Sequence, residues 1–364
     1  MKKRMKSFTA LAMAVCMAAL TGCGSGGAAP TEAAKGETNA ESAGTNAESG
    51  AEAASDWKWE RKVTLVCPWG VGGGADGTLR PLQPELEKVL GVPVEIVNVE
   101  GAGGANGIDF TNKQPADGYT YVLGTQSHIM LDLQKILPVD FRAEFKPVSK
   151  LVHSINIIAS SKKAMEGKYT NFLEFIDYAK AHPQELTCGM LTATGADSVS
   201  LKQTLAGGLG CDITEVEKYV KIVNYSSGAE LSSAMVGGHI NINITGADEI
   251  KGLIESGDIV PLISMSEERM SSFPNIDCTG EHKIDSYVGT WRGIFCRKDT
   301  PDAAVTAMAA ALKEAWDSQA YQDFMKNAGY LDRPGYADAA EMQTLVDEEY
   351  VTFEEYLKGA GLIK

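Results

Sequence analysis

Two glycine-rich segments hold the residues whose types and spacing best suit chemistry. Pro68-Trp69-Gly70-Val71-Gly72-Gly73-Gly74-Ala75-Asp76 follows the apolar, β-branched run Lys62–Pro68 and precedes a helical pattern. Gly101-Ala102-Gly103-Gly104-Ala105-Asn106-Gly107 follows a second such run, Val92–Val97. A loop of this kind aims backbone N–H groups and a helix dipole at a point that no Cβ blocks, which suits an anion. Three readings of the first loop are open: an anion-facing loop, a tight turn without a ligand, and a dinucleotide site. The last arises because Gly70-x-Gly72-x-x-Ala75 imitates the dinucleotide fingerprint and Glu95 lies about the right distance onward. No Gly-Lys-Ser/Thr follows the glycines, so this is not a P-loop. Gly-x-Ser-x-Gly, His-Glu-x-x-His and Cys-x-x-Cys are also missing, and the sequence offers no catalytic residue, metal site or cofactor.

The elements that must position these loops alternate between strand and helix. Lys62–Pro68 reads as a buried strand and Val92–Val97 as a second. Between them Leu82, Leu86, Val89 and Leu90 give a helical stripe ending at Gly91; Pro81 and Pro84 should disturb its second turn. A helix is expected over Ile108–Lys113, a turn at Asp117-Gly118-Tyr119, and a strand over Thr120–Gly124. Such alternation implies an α/β fold with mostly parallel sheet flanked by helices. Near the C-terminus Thr300-Pro301 fits N-cap and N1 of a helix striped by Val305, Met308, Ala309, Leu312 and Trp316. Asp338-Ala339-Ala340-Glu341 starts a last helix that runs to about Lys358.

The N-terminal segment is different material. Lys2, Lys3, Arg4 and Lys6 precede the apolar stretch Phe8–Gly22, a secretory signal over 1–22. Leu20-Thr21-Gly22-Cys23 looks like a bacterial lipobox, in which the Cys23 thiol takes a diacylglycerol and becomes the mature N-terminus. Gly24–Asp56 contains no Val, Ile, Leu, Met, Phe, Trp or Tyr, so 23–56 reads as a lipidated cysteine followed by a disordered acidic tether.

The chain has 364 residues and a formal net charge of −15, which disfavours a nucleic-acid binder. With 44% hydrophobic and 22% charged residues its body is globular. No window after residue 22 reaches the ~18–20 apolar residues of a membrane span. Cys67, Cys188, Cys211, Cys278 and Cys296 remain in the folded part, and free buried thiols are expected.

Pro68–Asp76, with Arg80 four residues on, resembles the first loop of the tripartite tricarboxylate transporter solute-binding family (TctC, or Bug, proteins). Asn98-Val99-Glu100-Gly101-Ala102-Gly103-Gly104 is similar to its second signature, and Asp117-Gly118-Tyr119-Thr120 to its third. Gly195 within Thr192–Ser198, Val223–Ala229, Gly237-Gly238-His239-Ile240 and Trp291-Arg292-Gly293 continue the pattern, from about 62 to 360.

The resemblance implies a two-lobed, periplasmic-binding-protein-like (Venus flytrap) fold, each lobe a mostly parallel sheet flanked by helices. Lobe 1 would comprise 57–160 and 287–364, and lobe 2 161–286, with Val148–Ser160 and Tyr287–Arg297 as crossing strands. It implies an extracytoplasmic, non-enzymatic receptor that delivers a small carboxylate to integral-membrane transporter subunits. Carried over position by position, the ligand residues are Gly72, Gly73, Gly74 and Asp76, then Thr125, Gln126, Ser127 and His128, then Thr192, Thr194, Gly195, Asp197 and Ser198.

Each single residue also has a plainer reading. Asp76 suits a helix N-cap or first turn, His128 a polar surface position and Asp197 a helix cap, while Arg292 suits either a bidentate fork on a second ligand carboxylate or a surface salt bridge. Trp69 is a departure from the family pattern that could narrow the cleft or stack on a planar ligand, and Thr245–Asp248 matches only loosely. Few cations lie near the matched loops, which favours a mono- or dicarboxylate or an amino acid over a tricarboxylate. The rival readings are a secreted dinucleotide-dependent oxidoreductase and a surface adhesion lipoprotein.

Overall fold

A computed structural model describes residues 56–191, 195–225, 228–286, 289–333, 335–359 and 361–364. The expected signal, Cys23 and tether, together with Thr192, Thr194 and Tyr287, lie outside these residues. The first half of the fold starts with β1 (Val63–Cys67), α1 (Gly74–Leu90), β2 (Val94–Asn98), α2 (Ala105–Asn112), β3 (Thr120–Gly124) and α3 (Gln126–Leu133). After the short α4 (Phe141–Glu144) comes β4 (Phe145–Ser161), the longest strand. Next are α5 (Lys162–Met165), α6 (Phe172–Ala181), β5 (Thr187–Met190), α7 (Ala196–Leu209) and β6 (Lys221–Asn224). Then follow α8 (Gly228–Val236), β7 (Ile242–Gly246), α9 (Ala247–Glu255) and β8 (Ile259–Ser264). The chain ends with β9 (Gly289–Arg297), α10 (Asp302–Asp317), α11 (Gln319–Ala328) and α12 (Ala339–Gly359).

The strands lie in the order β2-β1-β3-β9-β4-β7-β5-β6, with β8 also paired to β4. β1 is parallel to β2 and β3, and β5 is parallel to β6 and β7. β4 belongs to both halves. Its residues Phe145–Ile155 run antiparallel to β9, and Asn156–Ser161 run antiparallel to β7 and β8. One continuous strand therefore carries the chain from the first group of helices to the second.

Each half of the sheet is covered on both faces, which explains the unbroken apolar runs. In β1, Val63, Leu65 and Cys67 join one core with Leu79, Leu82, Leu86 and α10; Val66 joins another with Ile108, Phe141, Phe295 and Trp291. In the far half of β4, Ile158 packs toward α6 and α7, and Ile157 and Ala159 toward α8 and α9.

Two local expectations are corrected. Pro81 and Pro84 lie inside α1, yet the helix runs unbroken to Leu90 and closes on left-handed Gly91. The burial of Leu79, Leu82 and Leu86 outweighs the donors lost at the prolines. The N-cap of α10 is Pro301, one residue later than Thr300, and makes no side-chain cap bond. No disulfide joins Cys67, Cys188, Cys211, Cys278 and Cys296; all but Cys211 are buried, and burial pushes the Cys67 thiol up to about 12.

Candidate functional site

Five helices begin at the carboxyl ends of β1, β3, β5, β6 and β7, and their first residues line one cavity of about 50 Å³. α1 contributes Gly73, Gly74 and Ala75; α3 contributes Thr125 and Ser127; α7 contributes Gly195 and Asp197; α8 contributes Gly228; α9 contributes Gly246 and Glu249. The first N–H groups of a helix have no partner within it, and each N-terminus carries roughly +0.5 charge. Ligands of parallel-sheet folds bind outside the carboxyl ends of the strands for the same reason. Trp69, Leu191, Leu231 and Ile244 supply apolar wall. At ~10–15 Å³ per water centre, the space holds a few waters or a small organic ion.

The first loop is built to stay in place. Gly72 adopts φ 84°, a left-handed conformation that favours glycine. Asp76, in the first turn of α1, accepts from the Gly72 N–H at 3.1 Å, Arg80 Nε at 3.0 Å, Arg80 Nη2 at 2.8 Å and Asn98 Nδ2 at 3.0 Å. Burial opposes its ionisation, but these donors hold its carboxyl below the usual range. Asp76 thus braces the loop from behind the cavity.

His128 is neither a surface residue nor part of the cavity wall. It is fully buried and completes a capping box at the start of α3, its Nδ1 accepting the Thr125 N–H at 3.2 Å. Its ring packs between Trp69 (5.1 Å) and Phe141 (5.5 Å), and burial pushes it down to about 3. Trp69 packs against this histidine with the rings tilted by 42° and also lines the cavity. A Cβ on Gly104 would lie 2.7 Å from His128 Nε2 and 3.1 Å from Trp69, so the second glycine loop can approach only without side chains.

Arg292 of β9 is 3% exposed, so the surface salt bridge expected for it is corrected to a buried cluster. Its Nη2 donates to Glu249 Oε1 at 2.8 Å; its Nη1 donates to Asp248 Oδ2 at 3.1 Å and to Tyr330 Oη at 2.6 Å. Asp248 also accepts from Ser154 Oγ at 2.5 Å and from Tyr330, while Thr245 Oγ1 donates to Glu249 at 3.1 Å. Burial raises Glu249 to about 7, the charges of Asp248 and Asp197 adding to the effect and Arg292 opposing it. Burial of the guanidinium favours its neutral form, but the surrounding acids and Tyr330 keep Arg292 charged.

Asp197 is not the cap of α7. That position is Gly195, and Asp197 sits in the first turn. Its Oδ1 accepts from Asn156 Nδ2 and Thr290 Oγ1, each at 3.3 Å, and burial raises its carboxyl.

Of the residues named from sequence, the cavity brings together Trp69, Gly73, Gly74, Thr125, Ser127, Gly195, Asp197 and Arg292. Gly72, Asp76, Gln126, His128 and Ser198 do not line it. Gln126 donates to the Gly289 carbonyl at 2.6 Å, tying α3 to β9, and Ser198 donates to Met190. Glu249 and Thr290 were not named, and Gly228 and Gly246 entered only within the motif Val223–Ala229 and the loosely matching Thr245–Asp248, yet all four line the cavity. The available signal was the strand Ile242–Gly246, followed at once by two acids in a helical first turn.

The dinucleotide reading does not fit. A Cβ on Gly73 would lie 3.7 Å from the Gly228 N, so the glycine loop is packed on α8 where a pyrophosphate would sit. Glu95, the expected ribose partner, is exposed and paired with Lys62.

A two-lobed α/β fold, joined by shared strands and holding a small cavity at its helix N-termini, defines a periplasmic-binding-protein-type receptor. The chain belongs to the TctC family, the tripartite tricarboxylate transporter family receptors, whose profile matches residues 78–362. It is a non-enzymatic solute-binding receptor of that family. Protein BugT of Bordetella pertussis (strain Tohama I) is 26% identical over 264 residues, covering 71% of this chain and 78% of its own. The solved structure of the periplasmic binding protein BugD is 22% identical, with a TM-score of 0.74 over 84% of this chain and 99% of its own. MatC from Rhodopseudomonas palustris, solved with malate, is 22% identical (TM-score 0.71, 81% of this chain and 98% of its own). A second R. palustris protein, solved with adipate, is 24% identical (TM-score 0.73, 83% and 98%).

Proposed function

We propose that this receptor captures a small mono- or dicarboxylate or an amino acid, rather than a tricarboxylate, for the membrane subunits of a tripartite tricarboxylate-type transporter. The observation that carries the reading is the convergence of five helix N-termini on one cavity. The N-termini of α1 and α7, at Gly73, Gly74 and Gly195, with the hydroxyls of Thr125 and Ser127, face one carboxylate. The family resemblance adds Thr192 and Thr194, which lie outside the described residues, and Gly72, Asp76, Gln126, His128 and Ser198 support the pocket. Malate and adipate in two solved relatives support the carboxylate class. A trianion would face Asp197 and Glu249 with surplus negative charge, which is costly in a buried site.

In this reading the protein is exported by the signal 1–22 and anchored through lipid on Cys23, with 23–56 as the tether. A thermal-shift screen of carboxylates and amino acids on the full-length protein tests the function. Ligand at 100 times its Kd adds ~2.7 kcal/mol to native stability, a shift of several degrees. Stabilisation by citrate above every smaller carboxylate overturns the size and charge argument. No stabilisation by any carboxylate overturns the reading as a whole.

A further inference from the structure

Among the described residues, Arg292 is the one basic side chain on the cavity wall. Its two terminal nitrogens serve different neighbours. Nη1 donates to Asp248 Oδ2 at 3.1 Å and to Tyr330 Oη at 2.6 Å, and neither of these residues lines the cavity. Nη2 donates to Glu249 Oε1 at 2.8 Å, and Glu249 does line it. The pair is buried, with Arg292 3% and Glu249 16% exposed. The guanidinium nitrogen that would serve a ligand is therefore covered by a carboxylate of the protein itself.

The surroundings of that carboxylate are those of a bound anion. A Cβ on Gly74, the first residue of α1, would lie 2.2 Å from Glu249 Oε1, and a Cβ on Gly228, the first of α8, 2.6 Å from Oε2. The carboxylate thus fills the room that two glycines leave open, and Thr245 Oγ1 donates to it at 3.1 Å. A guanidinium, a hydroxyl and two bare helix starts are the partners an organic acid takes. Here the acid arrives from α9 of the same chain. We propose that Glu249 is a built-in competitor for a second ligand carboxylate: it holds the seat beside Arg292, so the receptor takes acids with one carboxylate and turns away those with two. The inference rests on the carboxylate reading above and narrows it to monocarboxylates. A diacid would have to displace Glu249 from Arg292, and one of the two negative charges would then stay buried without a partner, which is costly. Asp197, the other acid on the wall, adds to the repulsion.

Calorimetric titration of the full-length protein decides the matter. The probes are butyrate, pentanoate and hexanoate, each paired with the diacid in which a carboxylate replaces the terminal methyl: succinate, glutarate and adipate. At least one monocarboxylate is expected to bind wild type tenfold or more tighter than its diacid. Glu249→Ala vacates the seat and frees Arg292 Nη2, so the same diacid is expected to bind the variant at least tenfold tighter than it binds wild type. Glu249→Gln removes the charge but leaves the bulk, and a gain of threefold or more is expected for it. This variant carries the test if Glu249→Ala does not fold. A merely structural role for Glu249 would weaken both members of a pair alike. Diacids that bind wild type as tightly as their monocarboxylates overturn the inference and leave the carboxylate reading standing. So does a diacid affinity that fails to rise in either variant. Binding by neither class removes the carboxylate reading itself, and this inference with it.

Discussion

Arg292 Nη2 lies 2.8 Å from Glu249 Oε1, so a buried ion pair joins a crossing strand to the first turn of α9 beside the cavity. The pair connects residues of the two halves of the sheet, and Asp248 and Tyr330 complete it. Removing one partner of such a cluster leaves charge buried without compensation. Arg292→Met is therefore expected to destabilise the protein by about 3–5 kcal/mol in urea denaturation. Adding Glu249→Gln to that variant should recover part of the loss. A loss below about 1 kcal/mol would mean that water reaches the cluster.

Two glycines three residues apart in α1 should respond in opposite ways. A Cβ on Gly74 would lie 2.1 Å from Arg292 Nη2 and 2.2 Å from Glu249 Oε1, while a Cβ on Gly77 meets nothing within 4 Å. Gly74→Ala must displace the ion pair, costing about 1–3 kcal/mol and weakening ligand binding. Gly77→Ala is expected to stabilise by about 0.5–1 kcal/mol through helix propensity. Paired urea titrations check both signs.

His128 makes stability fall with acid. Burial holds it near 3 in the folded state against an ordinary value of 6.5. Between these values the unfolded chain binds the extra proton, so stability drops as pH falls from about 6.5 toward 3. By pH 4 the loss is on the order of 3 kcal/mol, at about 1.4 per unit. Glu249, raised to about 7, acts in the opposite direction between 4.5 and 7 in wild type and variant alike. His128→Gln keeps a residue suited to the capping box and removes the titration. The urea midpoint of the variant should therefore fall less between pH 6.5 and 4 than that of wild type; parallel curves would contradict this account.

Cys23→Ala should release the protein from membranes or leave an uncleaved precursor, because stable anchoring takes more than one acyl chain and the modified cysteine supplies them. Membrane retention after a carbonate wash distinguishes the cases. Equal retention of wild type and variant would place the anchor elsewhere.

What the sequence determined by itself is local. The strand Thr120–Gly124 was readable to the residue, and β1 to within one, because apolar β-branched runs bounded by turn residues have few other folds available. The glycines at 72–74 announced a helix N-terminus for the same reason. Pairings between distant segments were decided by the tertiary structure alone. Asp76 and Asp197 are both acids in the first turn of a helix after a glycine loop, yet Arg80 and Asn98 claim the first and the cavity receives the second. Nothing local separates them, since the difference lies in which neighbouring element presents a donor. Arg292 read equally as a ligand fork or a surface cation, and only the placing of β9 beside α9 gave its guanidinium to Glu249, 43 residues away in sequence. His128 read as a ligand contact or a surface residue, and only the packing of Trp69 and Phe141 over its ring buried it. Local propensity positions a backbone turn, but the partner of a charged or titratable side chain depends on how the sheet brings remote strand ends together, and no short window of sequence contains that information.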